Sequence, residues 1–119
     1  DFGVGPAVRR AVARGGHGES FGNPAYMAPE VELGQLLMES DLYALAVVFY
    51  EMATGSLPFE GPNFLIQKRE FRLHPPSRLT PDVPRSLDAP LLKALQPDPR
   101  QRFHSAPEFL TAIEAALKR

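Results

Sequence analysis

The longest apolar run in the chain is LYALAVVFYEMA, from Leu42 to Ala53, in which Glu51 is the one charged side chain. Good helix formers fill it, Ser40 or Asp41 stands ahead of it as a capping acceptor, and Gly55 follows, so the pattern predicts a helix over ESDLYALAVVFYEMATG. A helix apolar on every side either spans a membrane or is surrounded by protein. This run falls short of the roughly 20 residues a span needs, which leaves burial. Burial on all sides demands neighbours on all sides, and the chain offers few: helical patterns near 62–71, 86–95 and 105–117. The chain is small for so apolar a central helix, and part of its wall is expected from outside these residues.

The flanking patterns are amphipathic. SLDAPLLKALQ places Leu87, Leu91, Leu92 and Leu95 on one stripe behind a Ser86 cap, and HSAPEFLTAIEAALKR places Phe109, Leu110, Ile113 and Leu117 on another. Both are expected to pack as surface helices on the central one, with PDPRQRFH as a turn between them. Upstream, APEVELGQ predicts a short helix with Pro29 in its first turn, where proline costs no helical bond, and Gly34 closing it. The stretch GVGPAVRRAVARGGHGESFG has neither a period of 2 nor one of 3.6 and predicts a long loop placed for function.

Composition changes this picture little. The 119 residues suit a single domain, 44% hydrophobic and 23% charged residues describe an ordinary globular chain, and a formal charge of −1 argues against nucleic acid or an acidic membrane surface as partner. The absence of cysteine excludes thiolate and disulfide chemistry and suits an intracellular setting. The 13 prolines exceed the roughly six that average usage of about 5% would give, and most fall after Pro58, which implies short helices joined by stiff connections.

Ordered motifs then narrow the function. DFG at 1–3, APE at 28–30, SDLYALAVVFYEMATGSLPFEG from Ser40 and DPRQRF from Asp98 resemble, in sequence order, the signatures of a eukaryotic-type Ser/Thr protein kinase, most closely its bacterial members. The resemblance covers the whole chain. It implies a mainly α fold, the helical C-terminal lobe of a kinase domain whose parent is α+β and two-lobed, with residues 1–30 as the activation segment from DFG to APE and 31–119 as the helical lobe. It also implies ATP and Mg2+ as cofactors of the intact parent, a protein substrate, the remaining kinase lobe as a partner, and a cytoplasmic location, with any membrane tether outside these residues.

The site residues follow from the same resemblance. Phosphoryl transfer depends on neutralising charge on the transferred group, and a carboxylate at a turn suits Mg2+. Asp1 would be that ligand, Phe2 would pack beneath the nucleotide lobe and Gly3 would let the backbone switch. Pro29 and Glu30 belong to APE, and Glu30 would form a buried ion pair with Arg102 that ties the activation segment to the lobe. Asp41 would anchor the catalytic loop, or simply cap its helix. Val48 and Met52 would anchor the core stacked beneath the nucleotide, or else be ordinary core residues. Tyr26 and Glu51 fall in the substrate-binding set. Glu51 could meet a basic substrate side chain or make an internal hydrogen bond.

Some positions depart from the family pattern. Asn23 replaces the usual Thr before Pro24, which puts a larger amide where a hydroxyl normally aligns the catalytic groups. The activation loop has no Thr, and Ser20 is its only hydroxyl before Gly22, with Arg9, Arg10 and Arg14 nearby to receive a phosphate. Ala46 stands where a Gly is customary. No Gly-rich nucleotide loop, strand lysine or catalytic-loop Asp and Asn occurs in the 119 residues, so they are expected to be inactive alone. The alternative is a pseudokinase or protein-binding scaffold without phosphotransfer.

Overall fold

A computed structural model of the chain describes residues 23–118. Asp1, Phe2, Gly3, Arg9, Arg10, Arg14 and Ser20 lie outside the described residues. Among those described, regular structure is entirely helical: α1 Pro29–Glu32, α2 Met38–Thr54, α3 Phe64–Arg69, α4 Pro76–Leu79, α5 Asp88–Ala94 and α6 Ala106–Leu117, with single 3-10 turns at Arg85–Leu87 and Pro99–Gln101.

The central helix forms for the reasons its pattern gives, but it starts earlier than expected. Leu37 is the residue before the first helical turn and has no side chain able to cap, so neither Ser40 nor Asp41 is the N-cap. Ser40 lies one turn in, and its Oγ accepts the Leu37 N–H at 3.0 Å. One of the helix's orphan donors is thereby satisfied from inside the helix. Glu39 and Asp41 put acid in the first turn, where the helix dipole favours it. Gly55 ends the helix at φ 77, a left-handed conformation in which any Cβ is strained, and its N–H returns to the Glu51 carbonyl at 2.7 Å.

Leu42, Tyr43, Leu45, Ala46, Val47, Phe49 and Tyr50 are buried in α2, and α4 and α5 pack against it. From α6, Phe109 meets Phe49 edge-on at 5.6 Å between centroids and Phe103 at 5.4 Å, so α6 reaches the central helix through aromatic rings. Burial is not all-round. Asp41, Ala44, Val48 and Met52 run in one file along α2; Ala44 and Val48 are half-buried, Asp41 is exposed and Met52 is 47% exposed. The ordinary-core reading therefore fails for Met52.

Two other elements differ from their sequence pattern. The helix expected over 62–71 covers only Phe64–Arg69, because Phe71 takes φ 55 and turns the chain back. The Arg72 N–H then closes on the Gln67 carbonyl at 2.9 Å while the Phe71 ring packs against the core. In the 86–95 segment the first turn is 3-10, and Ser86 does not cap it. Its hydroxyl donates instead to the Ala116 carbonyl at 2.7 Å, pinning α6. The Asp88 carboxylate accepts from the Ser77 N–H and hydroxyl at 2.9 and 2.5 Å, so the first turn of α5 holds α4 in place.

Candidate functional site

The densest polar construction in the lobe gathers on Arg102, which leaves the 3-10 turn Pro99–Gln101 in extended conformation and points inward. Its guanidinium meets the Glu30 carboxylate in bidentate fashion, Nη1 to Oε2 and Nη2 to Oε1, both at 2.7 Å. The remaining donors reach the carbonyls of Gln96 at 2.7 Å, Pro97 at 3.1 Å and Glu39 at 3.2 Å. All five guanidinium N–H groups are used, as a cation only 1% exposed requires. Its plane lies over the Tyr43 ring at 4.7 Å.

Glu30 is 5% exposed and also accepts the Ser40 hydroxyl at 2.6 Å. Burial pushes its carboxyl up, but hydrogen bonds from Arg102 and Ser40 outweigh it and leave the group below the ordinary glutamate value. Since 72 residues separate the partners, this pair closes the end of α1 onto the far side of the lobe. Tyr43, beneath it, is wholly buried, and its hydroxyl has no hydrogen-bond partner; burial raises the phenol well above its usual range.

Ahead of α1 the chain makes a tight turn. The Tyr26 N–H donates to the Asn23 carbonyl at 3.1 Å and the Met27 N–H to the Pro24 carbonyl at 3.3 Å. The Asn23 side chain joins in, its Oδ1 accepting the Ala25 N–H at 3.0 Å. The Tyr26 hydroxyl donates to Glu51 Oε1 at 2.7 Å, which binds the turn to the half-buried flank of α2. The internal hydrogen bond considered for Glu51 is thus present.

Lys68 was missed by the sequence reading. Its side chain is fully buried, and its ammonium donates to the carbonyls of Pro24 and of Met27, the latter at 2.6 Å. Glu32 on α1 lies 3.6 Å from it, and the Phe64 ring centroid 5.5 Å. Burial holds the ammonium below the usual lysine range, against the opposing pull of Glu32. In QKRE it reads as one of several solvated charges; the available signal was its register, one helical turn after Phe64 in α3.

Thus Asn23, Tyr26, Pro29, Glu30, Glu51 and Arg102 lie in or directly against one structure, a turn and short helix fastened at both ends. Asp41, Val48 and Met52 form the separate file along α2. Helices alone, a short acidic helix locked to a late arginine and a central helix with one open file define the helical C-terminal lobe of a protein-kinase-like fold.

No family model matches the chain. It is 36% identical over 121 residues to serine/threonine-protein kinase Pkn1 of Myxococcus xanthus and 34% identical over 122 residues to serine/threonine-protein kinase PrkC of Bacillus subtilis, with 98% of this chain covered in each comparison. It is also 37% identical over 121 residues to a Myxococcus xanthus protein named tyrosine-protein kinase MasK. The chain spans only 18%, 18% and 19% of these relatives' lengths. By sequence, it belongs to the bacterial eukaryotic-type serine/threonine protein kinases, matching the helical lobe of the kinase domain.

Proposed function

We propose that this lobe serves a Ser/Thr protein kinase that transfers the γ-phosphoryl group of ATP to protein hydroxyls, and that the 119 residues alone do not carry out the transfer. The observation supporting this most directly is the buried Glu30–Arg102 pair, which fixes the end of the segment carrying Asn23 and Tyr26 at bonding distances of 2.7 Å. A segment held rigidly at its end can present a substrate in one geometry, and positioning is most of what phosphoryl transfer asks of a protein. In this reading Asp41 anchors the catalytic loop, Val48 and Met52 support the core beneath the nucleotide, and Glu51 keeps Oε2 for a basic substrate side chain.

Asp1, the proposed metal ligand, lies outside the described residues, and among those described no three His, Asp or Glu side chains gather as a cation site. Asn23 favours a second reading, a docking scaffold without phosphotransfer, because its Oδ1 is committed to the Ala25 N–H.

The test is phosphate incorporation from radiolabelled ATP into a general protein substrate, with phosphoamino-acid analysis, by the longer protein that carries this lobe and by the 119-residue chain. Label on Ser or Thr from the longer protein alone is expected. In the longer protein, Asn23→Thr should raise the rate. Absence of transfer by both proteins, with no gain from Asn23→Thr, would establish the scaffold reading.

A further inference from the structure

The carbonyls of Pro24 and Met27 converge from the two sides of the turn on one point, and the Lys68 ammonium occupies it. Two converging carbonyl oxygens are a cation site in miniature. An ammonium suits it because its three donors diverge from a compact centre, whereas a planar guanidinium would need more room. The side chain is fully enclosed, and charge this deep requires compensation. Glu32 supplies it at 3.6 Å, and the Phe64 ring covers the remaining side.

One side chain therefore links three pieces: the turn through its carbonyls, α1 through Glu32, and α3, on which Lys68 sits. The two carbonyl bonds span 44 and 41 residues. The turn is held at its other edge by Tyr26 on Glu51, and the chain beyond it by Glu30 on Arg102. Of these ties, the Lys68 clasp is the one that grips the backbone of the turn itself. Its loss would remove this grip on the 24–27 backbone while the Tyr26 hydroxyl stays on Glu51.

We propose that Lys68 is a positioning residue, which fixes the 24–27 turn in the shape that presents Asn23 and Tyr26 to a protein substrate. The part played in substrate presentation rests on the kinase reading above; the clasp does not. Lys68 touches neither substrate nor nucleotide and acts through the turn alone. Peptide affinity should then depend on a residue of α3 that lies behind the presenting surface.

The experiment compares wild type, Lys68→Met and Glu32→Gln in the longer protein that carries this lobe. Met keeps the length and apolar stem while removing the ammonium. Backbone amide exchange at Tyr26, Met27 and Ala28 should accelerate by about tenfold or more in Lys68→Met, and by about two- to threefold in Glu32→Gln, with α2 and α6 unchanged. KM for the protein substrate should rise several-fold, roughly in step with the exchange, while KM for ATP stays constant. Unchanged exchange at 26–28, equal acceleration in α2, or a loosened turn with unchanged substrate KM each overturns the proposal. If wild type transfers no phosphate, the phosphotransfer reading falls separately, and exchange together with calorimetric titration of a substrate peptide still decides the role of Lys68. Where Lys68→Met fails to fold, Glu32→Gln, whose carboxylate is partly solvated, makes the same comparison.

Discussion

Cutting Arg102 back to Ala removes every donor of its hub together. The Glu30 carboxylate, 5% exposed, keeps the Ser40 hydroxyl but loses its counter-charge, and the carbonyls of Gln96, Pro97 and Glu39 lose theirs. Removing one partner of a buried pair costs about 3–5 kcal/mol, because the survivor is stranded away from water. The lost stacking on Tyr43 adds about 0.5–2 kcal/mol. Water can reach Gln96 and Pro97, which are half-buried, so little is added for their carbonyls. The expected loss is about 3.5–7 kcal/mol, a large share of the roughly 5–15 kcal/mol that holds a domain folded.

Urea unfolding followed by far-ultraviolet circular dichroism measures the loss, with the exposed Arg85→Ala as control. The decisive comparison is a double-mutant cycle. Arg102→Met with Glu30→Met should cost less than Arg102→Met alone, since no charge is left stranded. The reasoning is refuted if Arg102→Ala loses no more than Arg85→Ala, or if the double variant loses the sum of the two single ones.

The remaining predictions follow from the same geometry. Because the folded-state Glu30 carboxyl lies below its ordinary value of 4.5, the unfolded chain binds its proton first as pH falls. The pair's contribution is therefore complete above about pH 4.5 and is lost as pH drops through the lower folded value, so wild type should shed more stability in acid than Glu30→Gln; parallel acid limbs in urea melts would contradict this. Tyr43→Phe removes a buried hydroxyl that has no partner and should be neutral or stabilising by up to about 1 kcal/mol. Tyr50→Phe removes a hydroxyl that donates to the His74 carbonyl at 2.6 Å and should cost about 1 kcal/mol, with the order of the two melting temperatures as the check.

The central helix, the stripes of α5 and α6 and the closing glycine were legible because each is a local pattern with a local cause. Ser105 caps α6 as its position suggests, accepting the Glu108 N–H at 3.2 Å. Ser40 and Ser86 looked like equally good caps, yet Ser86 gives its hydroxyl to the Ala116 carbonyl, and Ser40, one turn inside α2, accepts the Leu37 N–H while donating to Glu30. Phe71 gave no sign of the left-handed turn it makes, because a residue other than glycine adopts that conformation only when packing compensates for it. Lys68 was hidden for a related reason: a lysine is read as solvated unless the carbonyls it will meet are known, and those arrive from a turn more than 40 residues away. The Glu30–Arg102 pairing was expected from the motif resemblance; neither residue's local pattern marked it.

The one failure of the hydrophobic pattern is concentrated. All-round burial was the physical inference for the run from Leu42 to Ala53, and it fails most clearly along the file Asp41, Ala44, Val48 and Met52, where apolar side chains reach the surface next to an acid. If the lobe were simply minimising exposed area, α2 would be expected to carry polar residues on the side its neighbours leave open, as its amphipathic neighbours do. Three of the four residues in this file are those that the kinase resemblance gives supporting parts, Asp41 beneath the catalytic loop and Val48 and Met52 in the core beneath the nucleotide. Met38, in the first turn, is exposed as well, so the apolar surface of α2 extends beyond this file. The buried face of α2 holds the lobe together, and the open file is the part of the helix that the lobe's own stability does not explain.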